Sequence, residues 1–143
     1  MDGGGIIQYR RLTAAAPAAV GKLYCCAGWM KPEDNFDFVP AMIRGSFRFL
    51  GAFDGEELVG MARALSDGVS DGYIQDVVVL PAYRHCGIGR ELVLHLVAEL
   101  KAAGVDWIGL IGAPGTEAFY RRLGFEPMRQ FTPFHWVEES GQS

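Results

Sequence analysis

The segment "VVVLPAYRHCGIGRELVLHLV" (Val77 to Val97) constrains this chain more than any other. Tyr73 to Leu80 is aromatic and β-branched, the mark of a largely buried strand, and it stops at Pro81, which cannot donate to a sheet ladder. Beyond it Ile88, Leu92, Leu96 and Leu100 recur every four residues, with Gly89, Val93 and Val97 beside them. Arg90, Glu91 and Glu99 lie on the other side, so the pattern predicts an amphipathic helix ended by Gly104. The chain must therefore pass from strand to helix through Arg84-His85-Cys86-Gly87-Ile88-Gly89.

Backbone N–H groups at a helix start lack internal partners, and the helix dipole adds partial positive charge there. Both features suit an anion, usually phosphate. Glycine tolerates φ > 0 and has no Cβ to block close approach, and Arg84 supplies a cation. The same residues also describe a tight turn set by packing alone. Two phosphate loops are excluded: Gly-Lys-Ser/Thr is absent, and Leu92 stands where a dinucleotide fingerprint needs a third glycine.

The rest of the chain alternates strand and helix patterns. Ile6 to Arg10 predicts a short strand, and an alanine-rich helix with Pro17 near its start runs to about Ala27. Asp34, Asn35 or Asp37 is placed to cap a second helix through about Arg44. Phe47 to Phe53 and Leu58 to Leu65 predict a hairpin around "DGEE". Val105 to Ile111 reads as a buried strand, Thr116 to Leu123 as a short helix stopped by Gly124, and Met128 to Val137 as a last strand, with Pro133 at an edge or bulge. The order β-α-α-β-β-β-α-β-α-β requires a mixed sheet. One domain over 1–143 is expected, with 1–5 and 138–143 as frayed ends.

The net charge of −4 argues against nucleic acid or an anionic membrane as main partner. No apolar run approaches the ~20 residues of a membrane span, and "MDGGG" lacks the basic start of a signal peptide. Cys25, Cys26 and Cys86 form no paired framework, and no Cys or His has metal-ligand spacing. A cytoplasmic protein with reduced thiols and no metal is expected. His85, His95 and His135 read as a turn residue, a helix-surface residue near Glu91 and Glu99, and a residue of the last strand.

With the strand included, Val79-Leu80-Pro81-Ala82-Tyr83-Arg84-His85-Cys86-Gly87-Ile88-Gly89 resembles motif A of the GNAT superfamily of N-acetyltransferases. "AFYRRLGFEP" (Ala118 to Pro127) is similar to the superfamily's second hallmark, a short helix with tyrosine before Gly-Phe, and "LYCCAGW" (Leu23 to Trp29) to the first helix of many members. The resemblance implies an α/β (α+β) fold, the acyl-CoA N-acyltransferase fold, with a mixed, splayed central sheet flanked by helices. It implies acetyl-CoA as acetyl donor, an amine as acceptor, and compatibility with a homodimer. The pyrophosphate would lie over Arg84, His85, Cys86, Gly87, Ile88, Gly89 and Arg90. The pantetheine arm would take the main-chain groups of Val77, Val78 and Val79 where the sheet splays.

Amide formation from a thioester needs a neutral amine, a polarised carbonyl and a protonated or stabilised leaving thiolate. The resemblance places Tyr120 as general acid, a phenol protonated at neutral pH. For the base, many relatives carry a Glu-Asp pair where this chain has Gln75-Asp76, and glutamine cannot accept a proton. Asp76 is the remaining candidate, directly or through water, provided a bulge turns it from the opposite face. "GAPG" (Gly112 to Gly115) also departs, lacking an asparagine that contacts the cofactor in many relatives.

The resemblance assigns the acceptor pocket to Trp29 to Asp37 and Met128 to His135. Trp29, Phe36 and Phe131, with Gln75 beside the site, are the substrate-binding candidates, and Glu33, Asp34 and Asp37 add negative charge. That mix suits a cationic amine with an apolar or aromatic body. The alternatives are a protein N-terminal or lysine acetyltransferase, and a catalytically weak acyl-CoA-binding domain, the latter motivated by Gln75.

Overall fold

The structure, a computed structural model, describes residues 5–139. It divides into two compact units that meet in sequence between Leu110 and Ile111. Most of the expected frayed ends (1–4 and 140–143) lies outside the described residues.

The first unit is a five-stranded sheet in the order β1-β2-β3-β4-β5. β1 (Ile7–Arg11), β2 (Arg48–Asp54), β3 (Glu57–Ser66) and β4 (Asp71–Val79) pair antiparallel, and β5 (Trp107–Leu110) joins β4 in parallel. The mixed sheet follows from the connections: Asp54 pairs with Glu57 across the expected hairpin, whereas β4 reaches β5 only through a helical crossover. α1 (Pro17–Cys26) and α2 (Val39–Gly45) precede the sheet's centre, and α3 (Ile88–Ala102) is the crossover.

Helix α3 buries the predicted stripe: Ile88, Leu92, Val93, Leu96 and Leu100 are each at most 2% exposed. Burial of a leucine to that degree contributes about 1.5–3 kcal/mol. Its close approach depends on glycine. A Cβ on Gly72 of β4 would stand 2.9 Å from Leu100 Cδ2, and one on Gly60 of β3 would stand 3.2 Å from Ile88 Cγ2. α1 seats Val20, Leu23 and Tyr24 against β3 and β4. No helix among the described residues is long and apolar enough to cross a membrane.

Two local expectations are corrected. No side chain caps α2, whose N-cap is Phe38. Asn35 Oδ1 instead accepts the Asp37 N–H at 2.7 Å, and Asp34 Oδ2 accepts the Lys31 N–H at 2.9 Å, so these residues close the preceding loop. Val105 belongs not to β5 but to the end of α3: its N–H donates to Leu100 O at 3.1 Å, behind Gly104 at φ +98.

The second unit contains α4 (Glu117–Leu123), ended by Gly124 at φ +107. The Phe125 N–H donates to Tyr120 O at 3.0 Å and the Gly124 N–H to Arg121 O at 3.1 Å, closing the helix. The expected strand over 128–137 is absent. Pro133 has no N–H, Gln130 turns at φ +71, and Phe131, Phe134 and Trp136 are exposed, so no buried apolar face holds the segment extended.

Candidate active site

The site begins where β4 leaves β5. Their pairing runs from Asp71–Trp107 to Ile74–Leu110 and stops, so the edge of Gln75 to Val79 that would continue toward β5 has no strand partner among the described residues. This is the splay that the resemblance implied, at the expected place. Strand backbone without a ladder partner offers N–H and C=O groups to an extended ligand. The Val78 side chain is buried core, which leaves binding there to the main chain.

Immediately downstream, Pro81–Tyr83 makes one 3-10 turn and the chain enters α3. Gly87 is the N-cap residue at φ +83, ψ +6, and no side chain caps the helix. Among the described residues the N–H groups of Cys86 to Arg90 donate to no backbone carbonyl, and a Cβ on Gly87 would meet nothing within 4 Å. An open, amide-lined helix start fits a pyrophosphate. The second left-handed residue of the turn is His85 (φ +63), not Gly89, which lies in the first turn of α3. Arg84 Nε donates to Val79 O at 3.0 Å, folding this exposed side chain back along the strand end. Tyr83 Oη donates to Asp54 Oδ2 at 2.6 Å, fastening the turn to the β2–β3 hairpin, and that bond holds the phenol up at about 12.

Asp76 occupies a bulge. Gln75 pairs with Arg63 and Val78 with Met61, which sets Asp76 and Val77 opposite Ala62 alone. Asp76 has φ +59, and its carboxylate turns to the α1 side. There Oδ2 accepts from Arg63 Nε at 2.8 Å and from Tyr24 Oη at 2.5 Å. Oδ1 has no partner among the described residues, and no buried side-chain oxygen or nitrogen among them is unsatisfied, so Oδ1 of this 12% exposed side chain touches solvent. Burial first, then the Asp76 hydrogen bond, pushes the Tyr24 phenol well above its ordinary value.

Around Tyr24 stand Trp29, edge-on at 5.4 Å and half exposed, and Phe38 at 6.0 Å. Phe36 packs its ring on α1, where a Cβ on Gly21 would stand 2.8 Å from it. Within the first unit Trp29 stands beside Tyr24, while Gln75, Asp76 and the Val77–Val79 backbone lead to the turn that opens α3; Tyr24, Arg63 and Phe38 are residues that sequence reasoning missed. Only "LYCCAGW" pointed near Tyr24.

Tyr120 and Phe131 belong to the second unit. The Tyr120 ring packs edge-on to Phe119 at 4.8 Å and Phe125 at 5.9 Å, and burial pushes its phenol up. A phenol so held keeps its proton well past neutral pH and is suited to donate it. Phe131 is 75% exposed.

Residues 22–125 match the model of the acetyltransferase (GNAT) family, and the chain belongs to that family. It is 42% identical over 67 residues to GCN5-related N-acetyltransferase 1, chloroplastic, of Arabidopsis thaliana, covering 47% of this chain and 34% of that one. It is 45% identical, over the same shares, to serotonin N-acetyltransferase 2, chloroplastic, of Oryza sativa subsp. japonica. The matched region is therefore about a third of the length of these curated relatives. Among solved structures, a GNAT-family acetyltransferase of Streptococcus pneumoniae TIGR4 superposes with a TM-score of 0.79 at 26% identity, covering 93% of this chain and 98% of that one.

Proposed function

We propose that this chain is an acetyl-CoA-dependent N-acetyltransferase acting on a primary amine of a small molecule with an apolar or aromatic body. The observation that carries the reading is the parting of β4 from β5 directly before an open, amide-lined helix start. Those two features offer an extended backbone edge and an anion cradle a few residues apart, the requirements of a pantetheine arm ending in a pyrophosphate. The acetyl thioester supplies the electrophilic carbonyl. The chain's residues hold the donor, orient the amine and move protons.

The Gln75 to Val79 edge and the Cys86 to Arg90 amides hold the donor. Trp29 and Phe38 supply an aromatic surface for the body of a cationic amine. Asp76, anchored through Oδ2, keeps Oδ1 for the amine's proton, directly or through water. The family resemblance assigns the proton for the leaving thiolate to Tyr120 of the second unit. The likeness to a protein named serotonin N-acetyltransferase supports an aromatic acceptor.

The test is thiol release from acetyl-CoA with a panel of arylalkylamines, aliphatic amines and lysine peptides. Turnover on small aromatic amines is expected. Turnover on peptides alone would replace the acceptor assignment, and binding of acetyl-CoA without turnover on any amine would reduce the chain to an acyl-CoA-binding domain.

A further inference from the structure

Strand alternation sends Asp76 the wrong way. Gly72 faces α3, where Leu100 crowds the place of its missing Cβ, and Ile74 two residues on shares that apolar face. Continued regularly, β4 would bury the Asp76 carboxylate against α3. The bulge opposite Ala62 and a left-handed φ of +59 turn it to the α1 side instead. A non-glycine residue in that conformation costs about 1–2 kcal/mol and persists only where its surroundings hold it.

We infer that Tyr24 and Arg63 form a clamp that positions Asp76 for the acceptor amine, an inference that rests on the transferase reading above. The two donors come from different elements, α1 and β3, and converge on one oxygen, Oδ2. Arg63 and Asp76 are only 14% and 12% exposed at their side chains, so neither is replaced cheaply by water. Tyr24 Oη also lies 3.0 Å from Met42 Sδ, but a phenol has one proton and the carboxylate is the stronger acceptor. The phenol oxygen therefore keeps its lone pairs, next to the partly exposed rings of Trp29 and Phe38. One carboxylate oxygen is fixed and the other touches solvent, at the second residue of the open backbone edge.

Tyr24→Phe keeps the ring and removes the donor, and Arg63→Lys keeps the charge and removes the fork. With an amine that the wild type acetylates, each variant is expected to lose about 10- to 100-fold in kcat, the scale of a misplaced reacting group. KM for acetyl-CoA should stay within about twofold, since the clamp leaves the phosphate turn alone. On an Asp76→Asn background, Tyr24→Phe should add nothing. Amide exchange at Asp76 to Val78 should quicken in both variants while the α3 core stays protected. Wild-type kcat in both variants would overturn the positioning role, even with faster exchange. Unchanged exchange in both would overturn the clamp itself. A wild type inactive on every amine would sink the transferase reading, and exchange would then judge the clamp separately.

Discussion

Replacing Gly87 by alanine tests the phosphate turn against a matched control. Gly87 has φ +83, and an added Cβ would meet nothing within 4 Å, so the cost to the free protein is backbone strain alone. That strain is about 1–2 kcal/mol. In a chain of this size it lowers Tm by roughly 2–8 °C. Gly104, past the other end of α3, has φ +98 and the same open surroundings, so Gly104→Ala carries the same strain far from the turn. If the Cys86 to Arg90 amides hold pyrophosphate, the two variants separate only in binding. Gly87→Ala places a methyl where phosphate oxygens approach and should weaken acetyl-CoA by at least about tenfold, or 1.4 kcal/mol. Gly104→Ala should bind like the wild type. Isothermal titration calorimetry beside thermal melts reads both quantities. Equal affinities for the two variants, at equal loss of Tm, would refute the assignment of this turn to the cofactor.

Tyr120→Phe should lower kcat about 10- to 10³-fold with little change in acetyl-CoA affinity; an unchanged kcat in steady-state assays would make Tyr120 a packing residue. Acetyl transfer should persist in EDTA, because direct attack on a thioester needs no Lewis acid. Gly72→Val forces a side chain against Leu100 and should cost about 1–3 kcal/mol in urea unfolding, since the crowding atoms belong to a fully buried leucine. Folding raises the phenol values of Tyr24 and Tyr120 above 10.0, so the folded chain binds protons that the unfolded chain has released. Their contribution is fully present below about 10 and is lost as pH rises through the raised values; urea midpoints should be flat from about 7 to 9 and fall beyond 10.

The turn was legible because its signals are local. A valine-rich strand, a proline, Gly87 and a four-residue apolar period lie within one short stretch, and each has one meaning for the backbone. The mixed sheet, with its antiparallel hairpins and one parallel crossover, followed from the order of elements in the same way. Long-range pairing hid the rest. Asp76 meets Tyr24 from 52 residues away and Arg63 from 13, and both contacts exist only because of a bulge that alternation cannot foretell. For Phe36, sequence shows an aromatic in a polar loop, not the glycine in α1 that receives its ring. Met128 to Val137 has the composition of a strand, but composition supplies no partner, and this one has none among the described residues.

The most direct measurement is the pattern of backbone amide shifts in ¹⁵N-labelled protein titrated with acetyl-CoA. The largest changes are expected at Gln75 to Val79, where β4 has left β5, and at Cys86 to Arg90, at the head of α3. Asp71 to Ile74, still paired with β5, should move little. Saturable changes centred elsewhere on the sheet, with both of those segments silent, would contradict that expectation.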